Sequence, residues 1–244
     1  MRGPVLVTGG AKRLGAYFAR ALAEGGWRPV LHYGTSRDEA EALAGELGGA
    51  TVQADLSDPE ACEALVARAA AAAGAPLTAL VNSASIFEHD TGETVTSQGL
   101  ARHHAVNLSA PVVLASRFAA QAPAGDAVVI NILDQKLWNP NPDHLSYTLS
   151  KAALREATGR LAQSLAPVRV VGVAPGYCLP GPGEAQPEFE AKAAGVNILR
   201  RRLDPAHVAQ AVRFAAECPA VTGSVILADN GEHLVAAARD VSFG

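Results

Sequence analysis

The sequence lacks the features of several classes of protein. Its three cysteines show no Cys-x-x-Cys spacing, so disulfides and bound metal are not expected, and a reducing cytoplasmic location is favoured. Its apolar runs are short and alanine-rich, far below the length of a membrane span, and no signal-peptide pattern opens the chain. The net charge of −4 provides no basic surface for nucleic acid.

What the sequence has is a regular alternation of apolar strand-like runs with helical stretches. Fully apolar strands in such an alternation predict a parallel sheet that is buried on both faces. The 244 residues fit one large domain. We therefore expect a single α/β domain over 1–244, a doubly wound parallel sheet of the Rossmann type, with helices on both faces and the ligand crevice at the carboxyl ends of the strands. The predicted strands are 5–7, 29–33, 50–55, 79–82, 127–133, 168–175 and 225–229.

One long segment breaks the alternation. Residues 176–199 are rich in glycine and proline, which predicts an irregular loop. A loop of that length in a compact domain is usually a lid or a mobile edge. We expect it to cover the substrate.

A glycine-rich turn, TGGAKRLG, follows the first predicted strand and opens a helix. Gly9 permits a tight turn, and the free N–H groups at the helix N-terminus suit a pyrophosphate. A tight turn without a ligand is the alternative, but the position in an α/β alternation favours a dinucleotide site. The cofactor residues expected in this turn are Gly9, Lys12, Arg13 and Leu14.

The end of the second strand distinguishes the two nicotinamide cofactors. NAD-binding proteins place Asp or Glu there to hold the ribose hydroxyl. Residues 32–37 read HYGTSR, with no carboxylate before Asp38, and hydroxyls with arginines suit the 2′-phosphate of NADPH/NADP+. Ser36 has a second possible role as a helix cap. The cofactor residues expected here are His32, Tyr33 and Ser36, with Arg13 joining them.

Two further strand ends carry candidate cofactor contacts. Asp55, followed by Leu56 at the end of the third strand, is placed to accept from the adenine amino group, with a loop cap as an equal alternative. The fourth strand ends in Asn82, Ser83 and Ala84, whose small side chains let a cofactor approach.

Tyr147 and Lys151 stand four residues apart in LSYTLSKAAL, and Asp134 stands thirteen residues before the tyrosine. Four residues are just over one helical turn, so the phenol and the ammonium share a face. A neighbouring ammonium favours the phenolate, which makes the tyrosine usable as a proton donor and acceptor.

Together these motifs resemble the short-chain dehydrogenase/reductase family over essentially the whole chain. The resemblance implies that Tyr147 donates the proton, that Lys151 lowers its pKa and binds the nicotinamide ribose, and that Asn107 holds a proton-relay water. It also implies that Pro175 and Gly176 pack by the nicotinamide, and that the protein is a homo-oligomer, usually a tetramer.

Two departures from the common family pattern narrow the resemblance. Arg13 stands where most members have a further glycine, and Asp134 stands where most have serine. Both are similar to the pteridine reductase branch, which includes bacterial dihydromonapterin reductases. There, Ser85 and Phe87 would lie at the pterin with the phenyl ring stacked on it, and Arg13 would serve the cofactor phosphate, the substrate or both.

The aspartate also fits the chemistry of that branch. An ionised carboxylate would repel the oxyanion that develops when a C=O bond is reduced, whereas reduction of a pterin C=N bond needs a proton on a ring nitrogen. A buried carboxyl group with a raised pKa can supply or relay that proton with Tyr147. The alternatives are a structural carboxylate for Asp134 and ordinary packing for Phe87.

Three functional hypotheses follow. The favoured one is an NADPH-dependent reductase of a pterin, dihydropterin or dihydrofolate-type small molecule. The second is a carbonyl reductase of the same family that acts on a ketone or a 3-oxoacyl group. The third is a non-catalytic nucleotide-binding regulatory protein. The roles of the C-terminal segment and of the arginines at 200–202 stay open.

Overall fold

The computed structural model describes residues 2–123, 125–181 and 183–243, and they form a seven-stranded parallel sheet. The strands are β1 (Pro4–Val7), β2 (Arg28–Tyr33), β3 (Ala50–Gln53), β4 (Ala79–Asn82), β5 (Val128–Ile132), β6 (Arg169–Pro175) and β7 (Val225–Ala228). Their order across the sheet is β3-β2-β1-β4-β5-β6-β7, and every neighbouring pair is parallel. The predicted Rossmann-type sheet is confirmed.

Helices cover both faces of this sheet. They are α1 (Arg13–Glu24), α2 (Arg37–Leu47), α3 (Pro59–Ala73), α4 (Ser97–His104), α5 (Ala110–Gln121), α6 (Leu145–Ser164), α7 (Gln186–Ala193) and α8 (Pro205–Glu217). A π-helical turn, Ala105–Ser109, joins α4 to α5. Across the described ranges, every helix is too short or too polar to span a membrane.

The segment 176–199 differs from its predicted form, because it contains helix α7. The prolines of this segment suggested a loop, but Pro187 lies in the first turn of the helix, where a missing N–H costs nothing. Phe189 is fully buried and anchors the helix to the body of the protein. Pro182, also in the predicted lid, lies outside the described residues.

Alternation along the strands divides the core into two layers. Val5 and Val7 face the layer that contains α1 and α8, whereas Leu6 faces the layer that contains α3 and α5. All three side chains are fully buried. Because both faces are covered, the interior of the sheet offers no room for polar chemistry, which is left to the strand ends.

A chain of buried polar side chains ties two strand ends to helix α6. The Asn82 amide Nδ2 donates to Asn131 Oδ1 at 2.9 Å, and Asn131 Nδ2 donates to Thr158 Oγ1 at 3.0 Å. Each of these residues is at most 2% exposed. Hydrogen bonds in a dry interior are rigid, so β4, β5 and α6 are held in fixed register where the predicted catalytic side chains emerge.

Two glycines shape the turn between β1 and α1. Gly9 has φ +61°, and a Cβ there would lie 3.1 Å from Ala84 Cα. A Cβ on Gly15 would press on the carbonyl oxygen of Gly9, which is backbone and cannot move aside. Gly9 is therefore required by its left-handed backbone and its closeness to the segment after β4, and Gly15 by the close approach of α1 to the turn.

Replacing Gly15 with alanine should destabilise the protein by about 1–3 kcal/mol, because the added methyl group overpacks this turn. Gly45 provides a matched control, since it is also helical but a Cβ there meets nothing within 4 Å. Gly45→Ala should be neutral or stabilising by about 1 kcal/mol. Thermal unfolding of both variants measures the difference, and equal unfolding temperatures would contradict the assigned contact.

Candidate active site

A cleft of about 1200 Å³ runs along the carboxyl edge of the sheet. It begins at the turn between β1 and α1 and continues past the ends of β4, β5 and β6. This is where a ligand crevice is expected in a doubly wound sheet. The predicted site residues that line the cleft are Gly9, Lys12, Arg13, Leu14, His32, Asp55, Leu56, Ser83, Ala84, Ser85, Phe87, Asp134, Tyr147, Lys151, Pro175 and Gly176.

Three predicted cofactor residues do not line the cleft. Tyr33 is the buried last residue of β2, and Asn82 is held in the polar chain between the strands. Ser36 precedes α2 without making the capping hydrogen bond that was its alternative role. Within residues 2–123, 125–181 and 183–243, no group of three or more His, Cys, Asp or Glu side chains could hold a metal ion.

Asn107, predicted to be catalytic, sits in the π-helical turn and also does not line the cleft. Its Oδ1 accepts from the N–H of Ile86 at 2.9 Å and from Ser85 Oγ at 3.1 Å. Its Nδ2 donates to the carbonyl of Ile86 and to Ser150 Oγ, both at 3.0 Å. The amide thus uses its full hydrogen-bonding capacity to hold the 85–86 segment against α6, and the proton-relay role stays a prediction.

His32 fixes the glycine turn from below. Its Nε2 donates to the carbonyl of Ala54 at 3.1 Å, and its Nδ1 accepts from the N–H of Gly9 at 3.1 Å. Burial lowers the pKa of His32 to about 4, so the ring is neutral and keeps this single tautomer. The predicted cofactor residue therefore acts at least as a support for the turn.

Thr8 has a similar supporting role, which no sequence motif predicts. Its Oγ1 accepts from the N–H of Ser83 at 2.9 Å and from the N–H of Ala84 at 3.0 Å. The same hydroxyl donates to the carbonyl of Val81. One side chain at the end of β1 thereby positions the small-residue segment that follows β4.

The charged side chains of the glycine turn reach in different directions. Lys12 forms an exposed ion pair with Glu39 of α2 at 2.7 Å. Arg13 has φ +50°, and its Nη2 donates to the carbonyl of Pro180 at 2.6 Å. Arg13 therefore connects the turn directly to the predicted lid, and a ligand phosphate would have to compete with or join this contact.

Further positions that line the cleft, after β2 and β3, include one hydroxyl and one capped carboxylate. Gly34 and Thr35, after β2, line the cleft. Asp55 Oδ1 accepts from the N–H of Ser57 at 2.9 Å and from its Oγ at 2.7 Å. These hydrogen bonds hold the pKa of Asp55 below its usual value, so the loop-cap alternative is realised.

The tyrosine and the aspartate meet in the cleft. Tyr147 Oη donates to Asp134 Oδ2 at 2.7 Å, and the N–H of Lys136 donates to Asp134 Oδ1 at 2.9 Å. Lys151 Nζ donates to the carbonyl of Ile132 at 2.8 Å and lies 5.8 Å from the centre of the Tyr147 ring. Asp134 therefore both caps its loop and contacts the phenol.

The electrostatics of this group differ from the expectation for Lys151. Burial, reinforced by the Asp134 carboxylate, raises the pKa of Tyr147 well above its usual value. Burial also raises the pKa of Asp134. The pKa of Lys151 falls to about 8 for the same reason, partly offset by Asp134. In this structure desolvation therefore outweighs any stabilisation of the phenolate by Lys151, and the lowering of the Tyr147 pKa by Lys151 stays a prediction.

Phe87 lies beside the tyrosine at the wall of the cleft. Its ring stacks on His144 at a centroid distance of 3.9 Å and meets the Tyr147 ring edge-on at 4.7 Å. His144, which has φ +56° and precedes α6, could not be singled out from the sequence. One face of Phe87 is therefore used in packing, and stacking on a substrate stays a prediction.

Glu232 is an unpredicted carboxyl group at the same end of the cleft. It is 7% exposed and follows the turn after β7. Its Oε2 accepts from the N–H of Tyr177 at 2.6 Å, and its Oε1 accepts from Gln135 Nε2 at 2.9 Å. Burial raises the pKa of Glu232 to about 8. It links the ends of β5 and β6 across the site.

The C-terminal segment, residues 236–243, folds over its own cleft. Arg239 forms two hydrogen bonds of 2.8 Å to Asp143, which hold the pKa of that carboxyl well below its usual value. Asp240 pairs with Lys136 at 2.9 Å. Arg202, from the arginine cluster, instead pairs with Glu190 of α7 at 3.5 Å.

Comparison with known proteins places this architecture in a family. A family model described as enoyl-(acyl carrier protein) reductase matches residues 9–233. Pteridine reductase 1 of Leishmania tarentolae is 31% identical, over 95% of this chain and 96% of its own. An uncharacterised oxidoreductase of Methylorubrum extorquens is 34% identical, over 93% and 96%.

A solved structure agrees still more closely. FolM alternative dihydrofolate reductase 1 from Brucella canis, complexed with NADP, is 38% identical, with a TM-score of 0.91 over 98% of this chain and 97% of its own. The chain belongs to the short-chain dehydrogenase/reductase family. The predictions of family, fold and NADPH/NADP+ as cofactor are confirmed.

Glu232 should make stability depend on pH. Its pKa is about 8 in the folded protein and about 4.5 when unfolded, so between these values only the folded state keeps the proton. This contribution to stability is present below pH 4.5 and is lost as the pH rises through 8. Glu232→Gln should therefore lose less stability than the wild type between pH 5 and 8, as measured by chemical denaturation. Parallel curves would contradict this.

Proposed function

We propose that the protein is an NADPH-dependent reductase of pterins, dihydropterins or dihydrofolate-type compounds, and that it reduces a C=N bond. The observation that carries this proposal is the 2.7 Å hydrogen bond between Tyr147 and Asp134 inside the cleft. Relatives named as a pteridine reductase and an alternative dihydrofolate reductase support it. The chain's membership of a reductase family accounts for the hydride chemistry. The position of Asp134 beside Tyr147 favours a substrate that is protonated on a ring nitrogen.

The cleft fits a dinucleotide. The glycine turn lines the cleft at Gly9, and the N-terminus of α1 opens beside it. Thr35 and Arg13 line the cleft where a 2′-phosphate would lie, and no carboxylate precedes Asp38 there. Bound NADPH supplies the hydride, and Lys151 and Gly176 line the part of the cleft that we assign to its nicotinamide end.

The proton is handled by Tyr147 and Asp134. While Asp134 is ionised, it holds the phenolic proton of Tyr147. When Asp134 is protonated, its O–H donates to Tyr147 Oη, and the phenolic O–H is free to turn toward the substrate. Burial favours the protonated form of Asp134. The carboxyl can then return a proton to Tyr147 after the phenol has protonated a ring nitrogen.

A carbonyl substrate fits this arrangement less well. Reduction of C=O develops negative charge on oxygen, and catalysis requires donors or positive charge directed at that atom. Asp134 in its ionised form would oppose that charge. A ring nitrogen gains a proton instead, so a carboxyl beside the donor assists.

The segment 176–199 is proposed to act as the lid. Arg13 holds it at Pro180, and Tyr177 Oη donates to Glu184 Oε2 at 2.5 Å within it. Lys192 of α7 donates to the carbonyl of Val241 in the C-terminal segment. These contacts join the lid to both ends of the cleft. The predicted homotetramer also stays a prediction; α6, one expected interface helix, exposes Leu149.

The direct test is NADPH oxidation against oxidised and dihydro pterins, dihydrofolate, ketones and a 3-oxoacyl thioester. We expect turnover with at least one pterin-type compound. Tyr147→Phe should lower kcat by about 10²–10⁴-fold, the usual contribution of a positioned acid. Asp134→Ser should lower pterin turnover and leave or raise carbonyl turnover. Good carbonyl turnover with no turnover of any pterin would reject the proposal.

The pH profile provides a separate prediction. Because Asp134 acts in its protonated form, kcat for the pterin at saturating substrate should fall as the pH rises through its raised pKa. Asp134→Asn cannot titrate, so its profile should lose this limb while its kcat at low pH drops by at least about tenfold. A wild-type kcat that rises with pH would contradict the assigned role.

A further inference from the structure

The wall of the cleft next to Asp134 is rich in hydrogen-bond acceptors. Gln135 follows Asp134 directly, and its Oε1 is buried without a hydrogen-bond partner among the described residues. Its Nε2 donates a hydrogen bond to Glu232 Oε1. The two carboxylate oxygens of Glu232 each accept one N–H, and each has capacity for another. Both side chains line the cleft.

No cation in the described ranges balances this wall. The described Lys, Arg and His side chains form their ion pairs with other carboxylates. None of their nitrogens lies within 4.0 Å of the Glu232 carboxylate. The nearby Lys136 ammonium is taken up by Asp240 and Asn141, and Lys151 donates to the carbonyl of Ile132. A buried acceptor without a donor is unfavourable, so a ligand that brings donors would be bound strongly here.

We propose that Glu232 is a specificity-determining residue: with Gln135 Oε1 it accepts hydrogen bonds from adjacent N–H groups of a nitrogen-rich heteroaromatic substrate. This inference rests on the proposed function and extends it to the recognition of the substrate. An aminopyrimidine edge, with a ring N–H beside an amino group, matches two adjacent acceptors. In a ring that carries a carbonyl in place of the amino group, the carbonyl oxygen would face the acceptor oxygens of Glu232 and Gln135, and no hydrogen bond could form there.

The protonation of Glu232 should make this contact detectable through the pH dependence of ligand affinity. The acidic groups that face it are Asp134 after β5, Asp229 after β7 and Asp240 of the C-terminal segment, and all of them favour its neutral form. N–H donors from a ligand favour the ionised form instead. Affinity for such a ligand should therefore rise with pH up to about 8 and then level off, and binding at pH 7 should release a proton.

The test is calorimetric titration of the NADP+-loaded protein with two probes, pterin (2-amino-4-oxopteridine) and lumazine (2,4-dioxopteridine), at pH 6, 7 and 8. We expect the wild type to prefer pterin by at least about tenfold, because a missing donor leaves the acceptors unpaired. In Glu232→Gln the preference should shrink to within about threefold, and the rise in affinity with pH should lose the part that Glu232 contributes.

Two further variants complete the design. Glu63→Gln changes an exposed glutamate of α3 that does not line the cleft, and it should behave as the wild type. Gln135→Met removes the second acceptor, and it should weaken the preference for pterin while keeping the pH dependence. This variant tests the proposal independently if Glu232→Gln does not fold.

The outcomes separate this inference from the proposed function. Pterin turnover by the wild type, with an unchanged preference in both the Glu232→Gln and the Gln135→Met proteins, overturns the role of Glu232 alone. Equal loss of affinity for both probes, or a loss of NADP+ affinity in Glu232→Gln, assigns Glu232 to the cofactor or to structure and also overturns it. Absence of any pterin turnover by the wild type rejects the proposed function, whatever the variants bind.

Discussion

A parallel sheet that is covered on both faces permits polar chemistry only where its strands end, and this constraint organises the molecule. β1 leads into Thr8, β4 ends in Asn82, and β5 leads into Asp134. The first two use their hydrogen bonds to fix neighbouring segments, which leaves the third to face the cleft. Since the strands share one direction, these ends meet at one edge, and the cleft is a consequence of topology.

Within that edge, the surroundings of a side chain matter more than its identity. Tyr147 and Lys151 share a helical face as their spacing requires, yet Lys151 donates to a backbone carbonyl and desolvation governs both pKa values. In the proposed mechanism, the protonation of Asp134 decides whether the phenolic proton of Tyr147 is held by the carboxylate or offered to the substrate. The acid–base behaviour of the site therefore depends on one carboxyl group, whose dry environment is created by the core beneath it.

Local pattern was enough to predict the strands, because apolar runs and turns are encoded within a few residues. Asp134 was singled out by the resemblance to the family, in which serine is usual at this position, and its contact with Tyr147 spans thirteen positions. Glu232 meets Gln135 across 97 positions and Arg239 meets Asp143 across 96, and no local signal encodes such pairs. Helix α7 was missed because a proline that favours loops is also well tolerated in the first turn of a helix.

The two ends of the cleft respond differently to acidity. At the glycine turn, His32 has a pKa of about 4 and presents the same neutral tautomer at any pH a cell would experience. At the other end, Glu232 titrates near neutrality. Changes in proton concentration thus leave the shape of the nucleotide end untouched while they alter the charge of the reacting end. The neutral imidazole of His32 therefore keeps the glycine turn unchanged over the pH range in which the charge of Glu232 changes.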